Sequence, residues 1–340
     1  MRRVLVRRLV SLPIVLFGMS LITFALTHLV PGDPARLVGG PRASEAQIVA
    51  LREQYGFDQP FVQQYLNYMG GIVRGDLGTS ITTRRGVATD IGQFFPATIE
   101  LTAAAMLLVL VLGPALGLVG GLLKGRLSDH VIRLASISAV SMPVFLLGIL
   151  LQILFYEKLN LLPASGRIDE LAIPPARVTG LYLVDSLVAG DLTAFSSALA
   201  HLVLPAVTLA AGSLAVVTRM MRASVVETCE SDHLRAAEAK GLSPALVIRR
   251  HVFRNAMLPV TTVLGLQVGT LLAGSILTEV VFSWPGIGLY AVNAISNLDY
   301  AAIMGVTLLV SAVYLLVNLV VDLLYLVLDP RIADAQAAIT

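Results

Sequence analysis

Residues able to do chemistry are scarce in this sequence, and none are grouped as a reaction requires. Five histidines, His28, His130, His201, His233 and His251, are scattered along the chain. No HExxH places two of them on one helix face around a metal. The single cysteine, Cys229, excludes an internal disulfide framework and a cysteine cluster for zinc or iron–sulfur, and reads as inert. No GxxxxGK[ST] loop is present to cradle a phosphate, and no GxSxG turn to expose a serine nucleophile. Glu100, Glu279 and Asp322 fall near the ends of apolar stretches, where a carboxylate reaches water cheaply. A proton- or sodium-driven carrier usually keeps carboxylates or broken helices at mid-membrane. The second half is also no evident inverted copy of the first. The expectation is a chain with no catalytic, cofactor-binding or metal residues, driven by energy from another protein.

Charge does collect in one place. Between two apolar stretches, Arg219–Arg254 carries seven Lys/Arg. Asp232 is placed to cap a short helix, His233–Lys240, with Gly241 as the C′ residue free to take positive φ. Ser243-Pro244 reads as an N-cap and an N1 proline opening a second helix, Ala245–Met257, which meets the next apolar stretch at Pro259. A two-turn helix with small residues at Ala236, Ala237 and Ala239 is not stable alone in water. It must pack on its own chain, lie at lipid headgroups through Arg249, Arg250 and Arg254, or dock into a groove of a partner. The residue types satisfy each of these.

The elements holding this loop belong to a membrane. Of 340 residues, 56% are hydrophobic and 14% charged, against about 25% charged in a soluble domain. A net charge of +2 is too small to argue for nucleic acid. About 20 apolar residues cross a hydrocarbon core. Six stretches qualify: Leu9–Val30, Leu101–Leu123, Ile132–Phe155, Leu199–Val217, Leu258–Val281 and Ile303–Val327. Arg2, Arg3, Arg7 and Arg8 precede a stretch too long for a signal-peptide core, so no cleavable signal is expected. With the N-terminus inside, inside segments hold 15 Lys/Arg and outside segments nine, six of those in one long loop that translocates regardless of charge. Both termini are therefore expected in the cytoplasm.

Three divisions follow: a cytoplasmic segment and first span (1–30), an outside helical loop (31–98), and a five-span core (99–340) carrying the charged cytoplasmic loop 219–257. In the outside loop, Ser44 is placed to cap Glu45–Tyr55, and Gln59-Pro60 to open a helix ending near Gly70-Gly71. The second outside loop is mostly irregular, with an amphipathic stretch at Gly180–Val188. Gly113, Gly117 and Gly121 recur every four residues, as do Gly265, Gly269 and Ala273, and let helices approach closely. Packing within the chain is favoured over a subunit interface. Pro114, Pro143 and Pro205 are expected to kink their helices. Gln152, Thr208, Ser213, Thr218, Gln267, Ser275 and Asn318 suit either a polar path or hydrogen bonds inside the bundle. Trp284 is expected as an interfacial anchor. Arg219 and Arg222 suit headgroups or a partner.

Several passages, in order, carry a resemblance. Arg235-Ala236-Ala237-Glu238-Ala239-Lys240-Gly241-Leu242, followed by Arg254-Asn255-Ala256-Met257-Leu258-Pro259, resembles the coupling loop of ATP-binding-cassette import permeases. Pro31-Gly32-Asp33-Pro34, Leu162-Pro-Ala-Ser-Gly-Arg-Ile168, Arg219-Met-Met-Arg222-Ala-Ser224, Glu279-Val-Val-Phe-Ser-Trp284-Pro-Gly286-Ile-Gly288, Asp299-Tyr300 and Asp329-Pro330-Arg331 are similar to the dipeptide/oligopeptide/nickel branch. Within it the likeness is greatest to the first subunit of dipeptide permeases and covers nearly the whole chain. Arg235 stands where the wider family has glutamate, and Gly241 to Pro259 is longer than its pattern. Both departures are as in the peptide branch.

The resemblance implies an all-α polytopic fold of six transmembrane helices, the type I importer permease, in a bacterial inner membrane. It implies a homologous second permease, two cytoplasmic ATPases that hold the ATP, and an extracytoplasmic substrate-binding protein. It implies Asp232, Leu234, Arg235, Ala236, Ala237, Lys240, Gly241 and Leu242 as ATPase contacts. Cargo would be short peptides, dipeptides first, with oligopeptide, glutathione, nickel or a haem precursor as alternatives. The rival from another class is an ion-coupled secondary carrier. A membrane-embedded enzyme is disfavoured by the absent catalytic clusters.

Overall fold

A computed structural model describes residues 2–29, 34–40, 43–56 and 58–328. Pro31-Gly32-Asp33 and Asp329-Pro330-Arg331 lie outside them. In chain order the helices are α1 (Arg2–Leu29), α2 (Pro34–Gly39), α3 (Glu45–Tyr55), α4 (Phe61–Val73), α5 (Val87–Leu122), α6 (Leu127–Ser141), α7 (Val144–Gln152), α8 (Tyr182–Ala189), α9 (Leu192–Cys229), α10 (Asp232–Ala239), α11 (Pro244–Val247), α12 (Arg254–Val281), α13 (Ile287–Ser296) and α14 (Tyr300–Leu328). π-Helical turns extend α7 over Ile153–Lys158 and join α11 to α12 over Ile248–Phe253. Among the described residues the β content is one isolated bridge, Thr79 with Gly86.

The six expected spans overlap these helices, but among the described residues they do not form six spanning rods. Among the described residues four helices are long and apolar enough to cross a bilayer: Val87–Leu122, Leu192–Cys229, the continuous run Pro244–Val281, and Tyr300–Val321. The expected third span is broken. Leu127–Ser141 and Val144–Lys158 meet at 110°, so Pro143 ends a helix rather than kinking one. α1 contributes a shorter apolar stretch, Ser11–Thr27. Pro114 and Pro205 stay inside continuous helices. Pro259 marks no junction either, because the helix runs through it.

The chain divides into two compact units, one of residues up to Phe95 and from Leu289 on, the other Pro96–Gly288. In the first unit α1 packs on α14. Phe24 of α1 sits 5.2, 5.3 and 5.6 Å from the rings of Phe61, Tyr65 and Tyr68. The Ser20 hydroxyl and the Tyr65 phenol share a 2.8 Å hydrogen bond. α3 starts as expected, with Ser44 and Gln47 forming a reciprocal capping box. α4 opens after Pro60 and passes Gly70-Gly71 to reach Val73.

The second unit is built on α9, which carries α6, α7, α8 and α12 against its sides. Its core joins Leu101, Ala105 and Val109 of α5 to Val217, Met221 and Val225 of α9. The glycine stripe of α5 makes that packing possible, within this chain as expected. A Cβ on Gly113 would lie 2.6 Å from Val217 Cγ1, on Gly117 2.5 Å from Met221 Cβ, and on Gly121 2.5 Å from Val225 Cγ1. Gly117→Val therefore forces the two helices apart. Overpacking of this kind costs about 1–3 kcal/mol or more. We expect a lowered unfolding temperature in detergent, whereas Gly120→Ala, whose Cβ would have 3.6 Å to its nearest neighbour, melts as the wild type does.

Candidate coupling surface

α10 is the expected short helix, with two differences at its ends. It begins at Asp232 itself, so Asp232 is a first-turn residue rather than the cap, and Ser231 supplies the first carbonyl, to the amides of Leu234 and Arg235. An acidic first turn suits the positive end of the helix dipole. At the other end Gly241 has φ +74°, the left-handed geometry expected of C′. Ser243 then holds an extended cap geometry with Pro244 at N1, although its hydroxyl makes no capping bond. The separate second helix expected at Ala245–Met257 is absent. α11, the π turns and α12 form one rod to Val281.

The predicted contact residues separate by face. Leu234 and Ala237, three residues apart, are 4% and 5% exposed. Leu234 joins the core cluster that also holds Val247, Val252 and Ala256, and half-buried Leu242 packs on it. Asp232, Arg235, Ala236, Lys240 and Gly241 are exposed. The Asp232 and Arg235 side chains stand 98% and 73% exposed, 3.4 Å apart. Asn255 Nδ2 donates to His233 Nε2 across 3.1 Å, tying α10 to α12. The helix is thus seated on its own chain by one face and presents the other.

Two ion pairs lie around the end of α9 that leads into α10. Lys124, beyond α5, reaches Glu230 at 2.8 Å and holds the Glu230 carboxyl below the usual carboxylate range. Asp129, in the first turn of α6, is 1% exposed and takes Arg222 by two bonds, Nε at 2.5 Å and Nη2 at 2.8 Å. Gly125 N–H donates to the same carboxylate at 3.0 Å. Arg222 is therefore an internal partner rather than a headgroup ligand, while Arg219 is exposed.

At the opposite end of α9 the sequence reading is corrected. Glu100 and Glu279 do not reach water; they are 7% and 0% exposed. Glu100 pairs with Arg167 at 2.5 Å and accepts the Leu183 amide at 2.8 Å. The Arg167 guanidinium lies 3.7 Å over the Tyr182 ring and also donates to the Gly180 carbonyl. Glu279 accepts from the Thr98 hydroxyl at 2.6 Å, and Thr98 in turn accepts the Ile287 amide. Trp284 is 1% exposed, and its indole N–H donates to the Ala97 carbonyl, so it is a core residue rather than an interfacial anchor. Asp185 is held by the amides of Val178, Thr179 and Gly180. Burial pushes its pKa up, but those bonds and the Thr179 hydroxyl outweigh it and leave the carboxyl below its ordinary value. The amphipathic stretch expected at Gly180–Val188 is α8, Tyr182–Ala189.

Thr208, Ser213, Thr218, Gln267 and Ser275 are buried, Asn318 is half-buried, and Gln152 donates to the carbonyls of Ala164 and Val281. Among the described residues no group of three or more His, Cys, Asp or Glu is arranged to hold a metal.

Residues 110–334 match the family model described as binding-protein-dependent transport system inner membrane component. Residues 1–102 match the N-terminal model of binding-protein-dependent transport system membrane components. The chain is similar to a probable D,D-dipeptide transport system permease protein of Escherichia coli, 46% identical over 329 residues and covering 97% of each chain. It is similar to a di/tripeptide transport system permease protein of Pseudomonas aeruginosa, 46% identical over 328 residues, 96% of this chain and 97% of the relative. A glutathione transport system permease protein of Escherichia coli is 38% identical over 327 residues, 96% of this chain and 97% of the relative.

Proposed function

We propose, from the premise that this chain belongs to the binding-protein-dependent transport system inner membrane components, that it forms half of a path for short peptides and is driven through α10. The chain is a multi-pass inner membrane permease subunit of an ATP-binding-cassette importer, and not itself an enzyme. Short peptides are the cargo to test first, because two relatives are named for dipeptides and tripeptides. Glutathione, the cargo in the name of the third relative, is itself a small peptide and remains the alternative within the class.

In this reading both termini and α10 face the cytoplasm, which follows the excess of Lys/Arg on that side. A homologous second permease completes the path. Two ATPases receive the coupling helices, and an extracytoplasmic binding protein delivers the peptide. The observation that carries the coupling role is the two-sidedness of α10. Leu234 packs in the cluster of Val247, Val252 and Ala256, Ala237 is buried on the same face, and Asp232, Arg235, Ala236, Lys240 and Gly241 remain outward. A helix fixed on one face and bare on the other can enter a groove and pass force to what it is fixed on.

The test is uptake of a labelled dipeptide into proteoliposomes holding the assembled transporter. Uptake is expected to require internal ATP, the ATPases and the binding protein, and to survive a protonophore. Uptake that persists without the ATPases and collapses with the ion gradient would establish the ion-coupled carrier instead.

A further inference from the structure

In the first unit a tight hairpin, Gly78–Val87, is held far more firmly than a surface loop needs. Its two sides are joined by Ser80 N–H to the Arg85 carbonyl and Val87 N–H to the Gly78 carbonyl, both 2.9 Å. Two fully buried carboxylates pin it from beneath. Asp299, just before α14, accepts the Ser80 hydroxyl at 2.6 Å and the Thr82 amide at 3.0 Å. Asp90, in the first turn of α5, accepts the Thr83 hydroxyl and lies 2.7 Å from Arg85 Nη2. Between these anchors Arg84 has φ +56°, a left-handed conformation that a long L side chain rarely takes. Glycine would meet that geometry without strain. An arginine there persists because the surrounding bonds over-determine the loop, a pattern that concentrates at binding sites.

The exposed surface of the hairpin is cationic. Arg84 is exposed at its tip and Arg74 beside its base, Arg85 is half-exposed with its guanidinium on Asp90 and Gln93, and Asp90 and Asp299 are turned inward. Asp76, an exposed carboxylate just before the hairpin, accepts the Gly78 amide. We propose that this hairpin is a preformed docking element for an acidic patch on the extracytoplasmic binding protein, with Arg84 as its central contact. The assignment rests on the orientation given above, which places residues 31–98 outside. Lipid headgroups are the weaker fit, because a headgroup is served by a cation on a flexible stem. A caged backbone gains where a shaped partner is read, by removing the ordering cost of the loop before contact.

The experiment uses the whole transporter in nanodiscs and its cognate binding protein, with affinity and association rate measured at low and moderate salt. Arg84→Glu is expected to weaken binding by about tenfold, mostly through slower association, and to flatten its salt dependence. Ser80→Ala keeps the charge and loosens the cage, and is expected to give a smaller loss carried by faster dissociation. A photoreactive residue at position 82 should crosslink to the binding protein. Co-purification of the second permease and the ATPases with each variant separates a docking defect from an assembly defect. Wild-type affinity in Arg84→Glu overturns the assignment. So does an effect that appears only in discs containing anionic lipid, or a crosslink that runs to the second permease. A wild-type transporter that binds no such protein under any condition would instead remove the functional reading beneath it.

Discussion

Glu100→Ala is expected to destabilise the second unit by about 3–5 kcal/mol, the range found when one partner of a buried ion pair is deleted. Arg167 would be left 6% exposed, with its charge facing the space that the carboxylate filled. The Leu183 amide would lose its acceptor as well. Some of the cation would still be met by the Tyr182 ring and the Gly180 carbonyl, which sets the effect at the lower part of that range rather than beyond it. Thermal unfolding of the purified transporter, followed by tryptophan emission, gives the magnitude. Trp284 lies 5.5 Å from the same guanidinium and reports on the site directly. Arg167→Lys should not preserve stability, since an ammonium cannot lie flat on Tyr182 while bonding both Glu100 and Gly180. Glu100→Leu combined with Arg167→Leu should recover part of the loss, because it leaves no unpaired charge. A Glu100→Ala protein that melts with the wild type would show that this pair is solvated and contributes little.

That pair also marks where the sequence stops being legible. A carboxylate near the end of an apolar stretch satisfies two descriptions equally, one reaching water and one meeting a cation from elsewhere. Arg167 is 67 positions from Glu100, and Thr98 is 181 from Glu279. No local pattern connects them. The features read correctly are those whose physics is local. Ser44 caps Glu45–Tyr55 as its position requires, and the fold adds the reciprocal bond from Gln47. Gly241 takes the left-handed turn its position requires. Gly113, Gly117 and Gly121 mark a close approach, and the approach is made by Val217, Met221 and Val225 of the same chain.

The prolines fall into two kinds of place. Pro143 precedes a 110° break, while Pro114, Pro205 and Pro259 sit inside unbroken helices. A membrane helix tolerates a missing N–H when its neighbours satisfy the freed carbonyl, so the residue alone does not decide the outcome. The face of α10 was undecidable for another reason. Docking and self-packing recruit the same small and aliphatic residues, and the fold resolves the matter by doing the second with Leu234 and Ala237. What remains exposed is charged and small, which family likeness, rather than periodicity, connects to an ATPase.

Gly241→Val is expected to reduce ATP-driven peptide uptake to background while leaving membrane insertion and the bulk of the fold intact. The reason is not a clash with neighbours, because a Cβ at Gly241 would meet nothing within 4 Å. The cost is the left-handed backbone at φ +74°, about 1–2 kcal/mol for an ordinary L residue and more for a β-branched one. That is small against the stability of the whole chain and large against an eight-residue helix that cannot hold itself in water. Relieving the strain means unwinding the turn that sets Leu242 and Ser243-Pro244 on the far side. α10 would then lose its angle to the rod it must move. Gly241→Asn should keep a substantial part of transport, since asparagine tolerates the left-handed region. Arg235→Glu supplies the complementary case. Its side chain is 73% exposed, so it should leave α10 seated and fail at the ATPase contact alone. Measured together as uptake and as binding-protein-stimulated ATP hydrolysis, Gly241→Val and Arg235→Glu should both lose stimulation. Limited proteolysis near Gly241 should separate them, rising in Gly241→Val and unchanged in Arg235→Glu. Normal uptake by Gly241→Val would mean that the turn does not set the handle, and the coupling role of α10 would have to be abandoned.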